Sequence, residues 1–226
     1  MLPPGDPRRN EGSIMSVLII GASKGIGLET TRQALDAGFS VRALARSAAG
    51  IPLTHPNLEK FPGNALSLPD VEVALEGAEA VIQTLGVAVG DLFRPITLFS
   101  ESTRVLIAAM TAKGVKRLIT VTGFGAGDSR PYIHPLQRIP FRLILGRAYD
   151  DKTIQETLIK QSALDWTIAR PGVLNAGPHT GRYLVLENPD DWRNGNISRA
   201  DVADFLVRQI DDNTYVGKAP VLVNPK

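Results

Sequence analysis

The sequence predicts one α/β domain with a doubly wound, mostly parallel sheet and helices on both faces. Two observations lead to this prediction. Apolar runs of strand length alternate with helical patterns from Met15 onward, which is typical of repeated β–α units. The first run, Ser16 to Gly21, is almost wholly apolar, as expected of a parallel strand buried on both faces. No internal repeat or linker interrupts the alternation, so residues 15–226 are assigned to this domain.

The other elements follow in order from the same patterns. The later predicted strands are Ser40 to Ala45, Leu58 to Phe61, Ala80 to Leu85, Arg117 to Thr122, Asp165 to Ala169 and Val221 to Val223. The predicted helices end at Ala37, Leu75, Lys113, Gln161 and Ile210, and the last of them begins after Ser198, a good N-cap. Glycine and proline are frequent from Gly123 to Pro140, which predicts an irregular loop before a helix that starts at Phe141.

Composition and charge exclude several classes of function. The 25 Lys and Arg residues are well mixed with 23 Asp and Glu residues, and no nucleic-acid module is present, so nucleic acid is not an expected partner. The absence of cysteine excludes disulfides, thiolate metal sites and cysteine nucleophiles. No clustered His and Glu set indicates a metal, and no apolar run reaches the roughly 18 residues that span a bilayer. We expect a cytoplasmic protein with no membrane partner and a disordered leader at residues 1–14.

A glycine-rich turn separates the first strand from the first helix. Gly21, Gly25 and Gly27 lie in it, together with Ser23, Lys24 and Ile26. Small residues at this point let the backbone turn tightly and approach a pyrophosphate, whose charge is stabilised by the helix N-terminus. Because the turn follows a strand and opens a helix, it meets the structural condition for a dinucleotide loop. The sequence therefore predicts a Rossmann-type dinucleotide site.

The end of the second strand indicates which dinucleotide is bound. Sites that prefer NAD usually place Asp or Glu here, where the carboxylate binds the ribose 2′-hydroxyl. This chain instead has Arg46 and Ser47 after Ala45. An arginine can form charge-assisted hydrogen bonds with the 2′-phosphate of NADP, and Lys24 supplies a second cation, with Arg42 a weaker third candidate. We therefore predict NADP(H) as the cofactor.

The spacing G-x-x-x-G-x-G resembles that of the short-chain dehydrogenase/reductase superfamily. Further similar stretches are VIQTLG at 81–86, ITVTGFG at 119–125, LDWTIARPG at 164–172 and ISRADVA at 197–203. Together they resemble the atypical branch of that superfamily, the NAD(P)H-binding proteins similar to flavin/biliverdin reductase and NmrA-like proteins. The resemblance implies further cofactor contacts from Asn64, Ala65, Thr84, Leu85, Gly86, Pro171 and Gly172.

Catalytic members of the superfamily carry a serine after the fifth strand and a Tyr-x-x-x-Lys pair on the next helix. The resemblance makes Lys152 that lysine, which would hold the nicotinamide ribose. Ala148 occupies the tyrosine position, and Tyr149 lies one residue later, so it is either a displaced proton donor or a packing residue. Thr122 takes the place of the serine. His134 and Tyr132, in the loop, are weaker candidates for a proton donor.

Three functions remain open at this point. The first is an NADPH-dependent oxidoreductase that transfers hydride to a small conjugated acceptor such as a flavin or quinone and takes its proton from solvent. The second is a non-catalytic NADP(H)-sensing regulator of NmrA-like type, and the third is a carbonyl reductase that uses Tyr149. A sugar-nucleotide epimerase is less favoured, because the region after Pro171, expected to face the substrate, is short. The oligomeric state is left open.

Overall fold

Ten strands and five α-helices are found in the part of the chain that the computed structural model describes, residues 14–88, 90, 92 and 94–225. The strands are β1 (Ser16–Ile20), β2 (Ser40–Ala45), β3 (Leu58–Pro62), β4 (Ala80–Gln83), β5 (Arg117–Val121), β6 (Asp165–Pro171), β7 (Val173–Asn175), β8 (Leu184–Leu186), β9 (Asn196–Ser198) and β10 (Val221–Val223). The helices are α1 (Gly25–Asp36), α2 (Leu68–Ala74), α3 (Leu98–Lys113), α4 (Pro135–Lys160) and α5 (Arg199–Arg208).

The main sheet has eight strands in the order β3-β2-β1-β4-β5-β6-β10-β8. Every neighbouring pair is parallel except β10 and β8, which are antiparallel. Strands β7 and β9 form a separate parallel pair. The predicted doubly wound, mostly parallel Rossmann-type sheet is confirmed.

The helices cover both faces of this sheet. Alternate residues of β1 point to opposite faces, as the period of a strand requires. Val17 and Ile19 pack in one apolar cluster with side chains of α1 and α5, whereas Leu18 and Ile20 pack in a second cluster with side chains of α2, α3 and α4. Each β–α unit therefore buries the apolar stripe of its helix against the sheet.

The strand order creates a crevice at the carboxyl end of β1. The chain proceeds from β1 to β2 and β3 on one side and then returns to β4 on the other side of β1. At such a reversal, the helices that follow the two neighbouring strands lie on opposite faces of the sheet. Open α/β sheets bind ligands in the gap between these helices. The glycine-rich turn, residues 21–27, lies at this point.

The prediction of an irregular loop up to Pro140 is wrong for residues 135–140. Helix α4 begins at Pro135, six residues before the predicted start, and Pro140 lies within it. Proline is tolerated at the first helical position, and the His134 side chain caps this end by accepting a hydrogen bond from the Leu136 N–H at 3.4 Å. Pro140 removes one hydrogen bond near an exposed helix end, which the remaining turns outweigh.

Strands β7, β8 and β9, of three residues each, were not predicted from the sequence. Among the described helices, none combines the length and the apolar character needed to span a bilayer. Of the predicted leader, residues 1–13 lie outside the described residues, so the leader and the domain boundary at Met15 stay predictions.

Candidate dinucleotide site and catalytic centre

The glycine-rich turn is held against the ends of β1, β2 and β4. The Gly21 N–H donates to the Leu44 carbonyl at 3.0 Å, and the Thr84 N–H donates to the Ile20 carbonyl at 2.9 Å. Gly21 has φ +89°, and a Cβ there would lie 3.0 Å from the Thr84 carbonyl carbon and oxygen. A Cβ on Gly27 would collide with the Gly21 carbonyl oxygen. Only glycine permits this approach of α1 to the strand ends.

The N-terminus of α1 offers positive electrostatic character to a ligand in the crevice. Lys24 is the N-cap residue and is exposed, and the first turn contains no acidic residue. Ser23 is half-buried, whereas Ile26 packs on the apolar cluster beneath the helix. Unpaired N–H groups and a partial positive charge at a helix start suit a pyrophosphate, so the turn fits a dinucleotide.

Arg199 was missed by the sequence reasoning. It is the first residue of α5, and its Cδ lies 4.0 Å from the position that a Gly25 Cβ would take. An arginine therefore borders the glycine-rich turn, 174 residues after Gly25 in the chain. No local sequence signal places it there, because the approach depends on the packing of α5 beside α1.

The predicted 2′-phosphate and adenine residues follow β2 and β3. Arg46 and Ser47 are exposed directly after β2. The Gly63 N–H donates to the Ala45 carbonyl at 3.2 Å, which brings Asn64 beside the end of β2. The Asn64 side chain accepts a hydrogen bond from the Leu66 N–H at 3.1 Å. The residue Ala65 is buried.

Arg42 is turned away from this site. Its guanidinium contacts the Glu59 carboxylate at 2.7 Å and donates to the Val73, Ala74 and Glu76 carbonyl oxygens around the end of α2. Arg42 is therefore held by structural contacts. Of the two arginines, Arg46 is the candidate for binding the 2′-phosphate.

The fourth and sixth strands supply the other predicted cofactor contacts. The Thr84 hydroxyl donates to the Ile20 carbonyl at 3.0 Å, while Leu85 is half-buried and Gly86 is exposed just beyond it. At the end of β6, Pro171 is buried and the Gly172 N–H donates to the Leu222 carbonyl at 3.0 Å. These residues all lie at the carboxyl edge of the sheet, and their contacts with the cofactor stay predictions.

Lys152 points to the end of β5. Its Nζ donates to the Thr122 carbonyl oxygen and lies 5.0 Å from the centre of the Phe99 ring and 5.2 Å from that of Tyr149. Burial lowers the pKa of Lys152 to about 8, although the charge of Glu156 acts in the opposite direction. The structure thus brings the predicted catalytic residues Lys152, Thr122 and Tyr149 together.

The Thr122 hydroxyl is hydrogen-bonded to a buried carboxylate and does not face a substrate. It donates to Glu156 Oε1 at 2.7 Å, and Glu156 in turn binds Arg170, with Nε to Oε1 at 3.0 Å and Nη2 to Oε2 at 2.5 Å. Glu156 and Arg170 are both fully buried, and Arg170 also contacts Asp128. This network joins the end of β5 to α4 and β6, so it positions Thr122 and, through its carbonyl, Lys152.

Tyr149 lies inside the same group. Its Oη lies against Gly123, where a Cβ would overlap it, and its ring makes an edge contact with Phe141 at 4.6 Å between ring centres. Burial raises the pKa of Tyr149 to about 12. Ala148, at the position of the superfamily tyrosine, is buried and carries no proton donor.

The two weaker candidates for a proton donor have structural contacts. His134 caps α4, and the Tyr132 ring makes an edge contact with Trp192 at 5.3 Å.

Known proteins are similar to this chain in sequence and in fold. Residues 21–213 match the family described as NAD(P)H-binding. The chain belongs to this family. The match begins at the first glycine of the turn, and it confirms a nicotinamide dinucleotide as the cofactor. It also agrees with the predicted place in the short-chain dehydrogenase/reductase superfamily.

Relatives cover almost the whole domain. An uncharacterized chloroplastic protein of Arabidopsis thaliana is 30% identical over 203 residues, which are 86% of this chain and 71% of the relative. An uncharacterized sugar epimerase of Bacillus subtilis is 28% identical, with 91% of this chain and 92% of the relative covered. The cytoplasmic location expected from the sequence stays a prediction.

Solved structures agree with the fold. ChuY, described as an anaerobillin reductase from Escherichia coli O157:H7, has a TM-score of 0.77 and 26% identity, with 94% of this chain and 98% of that chain covered. A short-chain dehydrogenase/reductase from Veillonella parvula in complex with NADP has a TM-score of 0.80 at 18% identity, covering 94% and 96% of the two chains.

The exposed arginine after β2 gives a prediction about cofactor preference. NADPH should bind more tightly than NADH by about 1–3 kcal/mol, the scale of charge-assisted hydrogen bonds. Arg46→Ala should remove most of this difference, measured by fluorescence titration of both cofactors. Arg104→Ala, an exposed arginine on α3 beside Glu101, is the control and should leave it unchanged. Equal affinities of the parent protein for the two cofactors would contradict the assignment of Arg46.

Proposed function

We propose that this NAD(P)H-binding protein is an NADPH-dependent reductase of a small conjugated acceptor, such as a flavin or a quinone. The observation that carries the proposal is the pairing of an oriented Lys152 with Ala148 at the position of the superfamily tyrosine. NADPH, when bound, supplies a hydride, which together with one proton from solvent reduces the acceptor and leaves NADP⁺. ChuY, an anaerobillin reductase by its description, supports a reductase in general.

The chain's own residues are suited to orientation. Lys152 is fixed by the Thr122 carbonyl and by the rings of Phe99 and Tyr149, so its ammonium group is held in one place. Holding two reactants in the correct geometry can by itself lower a barrier by several kcal/mol. A conjugated acceptor can take up hydride before it is protonated, so it needs no acid beside it.

A groove beside this centre suits an apolar acceptor. It has a volume of about 670 Å³ and lies between α4 and the turn at residues 127–133. Its walls include Ile133, Ile139, Phe141 and Leu143. Phe141 separates the groove from Tyr149, because its ring contacts both.

A carbonyl reductase that uses Tyr149 is the second candidate. One observation favours it: the Tyr149 ring lies 5.2 Å from Lys152 Nζ, so the tyrosine and lysine face each other despite their spacing of three residues. A general acid works best with a pKa near the working pH, and burial raises the pKa of Tyr149 to about 12. The same burial disfavours a sugar epimerase, which needs a base to oxidise an alcohol.

Two variants separate these candidates. Tyr149→Phe should leave NADPH oxidation with quinone or flavin acceptors within a few-fold of the parent, because solvent supplies the proton. Lys152→Ala should oxidise NADPH more slowly, because the hydride donor and the acceptor are less well oriented. Lys113→Ala, on the exposed end of α3, should oxidise NADPH at the rate of the parent. General-acid catalysis is typically worth about 10²–10⁴-fold, so the outcomes are well separated.

Two results would contradict the proposal. A loss of about 10²-fold or more in Tyr149→Phe, with unchanged NADPH affinity, would make Tyr149 the acid and carbonyl compounds the better substrates. NADPH binding without oxidation by any acceptor in a panel of quinones, flavins, aldehydes and ketones would favour a sensing protein of NmrA-like type.

A further inference from the structure

Arg199 lies against the glycine-rich turn from the side of α5. Its Cδ is 4.0 Å from the position that a Cβ on Gly25 would take, and Gly25 is the exposed first residue of α1. The guanidinium is bonded directly to this Cδ. It therefore lies beside the first turn of α1, where the backbone N–H groups have no partner within the helix.

The backbone is fixed on both sides of Arg199. The Ser198 side chain caps α5 by accepting a hydrogen bond from the Asp201 N–H at 2.9 Å. The Gln33 side chain of α1 donates to the Ala200 carbonyl oxygen, also at 2.9 Å, and both Ser198 and Ala200 are buried. The first turn of α5 is thus held beside α1, so the approach of Arg199 to the glycine-rich turn is set by the packing of two helices.

The guanidinium of Arg199 is available to a ligand. Arg199 is half-buried and has no hydrogen bond or ion pair within the part of the chain that the structure describes. By contrast, Arg208 at the other end of α5 binds Asp204 Oδ2 at 2.8 Å. The nearby carboxylate of Asp201 accepts hydrogen bonds from the Thr180 N–H and hydroxyl, at 2.7 Å and 2.9 Å. An anion is therefore the partner that suits the free guanidinium.

Helix α5 approaches the glycine-rich turn from the side opposite to Arg46. Helix α1 packs on β1 and β2, and Arg46 follows β2, whereas α5 packs on α1 and β6. Strands β2 and β6 lie on opposite sides of β1 in the sheet. A dinucleotide with its 2′-phosphate at Arg46 and its nicotinamide ribose at Lys152, as predicted, has its pyrophosphate between them, at the glycine-rich turn.

We propose that Arg199 binds the pyrophosphate of NADP(H). The planar guanidinium suits phosphate oxygens, to which it can donate two hydrogen bonds at once. Arg46 is predicted to recognise the 2′-phosphate, which only NADP(H) carries, whereas Arg199 holds a group that NADPH and NADH share. The inference concerns the cofactor alone, so it does not depend on which acceptor is reduced.

Fluorescence titration of NADPH and NADH tests the proposal. Arg199→Ala should weaken the binding of both by about tenfold to a hundredfold, the scale of hydrogen bonds to a charged group. The ratio of the two affinities should stay that of the parent. Arg199→Lys keeps the charge but not the planar donor set, so its affinities should lie between those of the parent and Arg199→Ala. Arg46→Ala should instead weaken NADPH alone.

Two fragments of the cofactor distinguish a lost contact from a distorted site. ADP carries a pyrophosphate without a 2′-phosphate, and 2′-AMP carries a 2′-phosphate without a pyrophosphate. In competition with NADPH, Arg199→Ala should bind ADP more weakly than the parent and 2′-AMP as tightly as the parent. Arg208→Ala is the matched control on the same helix, with a side chain that is 64% exposed, and should bind all four ligands like the parent.

Three outcomes exclude this role of Arg199. Parent-like affinity of Arg199→Ala for both NADPH and NADH would show that the guanidinium stays in solvent. Weaker binding of NADPH with unchanged binding of NADH would place Arg199 at the 2′-phosphate. An equal loss for ADP and 2′-AMP would show that Arg199 supports the shape of the site and does not bind the pyrophosphate.

Discussion

Arg170→Met should lower the free energy of unfolding by about 3–5 kcal/mol, the usual cost of leaving one partner of a buried ion pair alone. Arg170 and Glu156 are both fully buried and joined by two hydrogen bonds. Burial lowers the pKa of Arg170, but the hydrogen bond and charge of Glu156 raise it above its usual value, so the guanidinium stays charged. Without the Arg170 guanidinium, Glu156 keeps its hydrogen bond from the Thr122 hydroxyl and its contact with Lys160, whose Nζ lies 3.8 Å from Glu156 Oε2. Urea unfolding measures the loss.

Two further variants serve as comparisons for Arg170→Met. Arg130→Met removes an ion pair whose side chains are 40% and 43% exposed, so it should cost about 0–1 kcal/mol. The double variant Arg170→Met with Glu156→Leu should recover much of the loss, because no isolated charge then remains buried. A loss in Arg170→Met no larger than in Arg130→Met would show that the buried pair does not stabilise the fold.

Gly27→Ala should also have a large effect, on both stability and cofactor affinity. The added Cβ would overlap the Gly21 carbonyl oxygen, so α1 must move away from the ends of β1 and β4. Overpacking of this kind typically costs about 1–3 kcal/mol, and NADPH binding should weaken by about tenfold or more as the loop loses its shape. Thermal unfolding and NADPH titration measure the two effects.

Gly50→Ala is the control for this glycine. Gly50 does not have a positive φ, and its Cβ would meet nothing within 4 Å, so unfolding temperature and NADPH affinity should match the parent. A Gly27→Ala protein with parent-like NADPH affinity would show that the close approach at Gly27 is not needed for the dinucleotide.

The parts predicted from the sequence are those fixed by local chemistry. The apolar run of β1, the glycine-rich turn and the stop at Gly114 were predicted because each depends on residues that are neighbours in the chain. Gly114 ends α3 with φ +73°, as a glycine in this position commonly does. The site at the carboxyl edge of the sheet then follows from the strand order.

The parts that the sequence did not predict depend on distant contacts. The start of α4 was placed at Phe141 because prolines at 135 and 140 usually interrupt a helix, whereas here the first of them opens it. Arg199 reaches the glycine-rich turn only because α5 packs beside α1, and the Thr122 hydroxyl is bound by Glu156, which is 34 residues away in the chain. Such pairs leave no periodic signal.

The order of strands β8 and β10 has a consequence for biosynthesis. β8 is an edge strand, and its one neighbour in the sheet is β10, which is translated more than thirty residues later. A ribosome therefore synthesises residues 184–186, and all of β1 to β6, before the hydrogen-bonding partner of β8 exists. During that interval β6 is itself an open edge, with the backbone groups later used by Val221 and Leu222 still unpaired. Nascent chains should be most prone to aggregation, or to recognition by a chaperone, in this window.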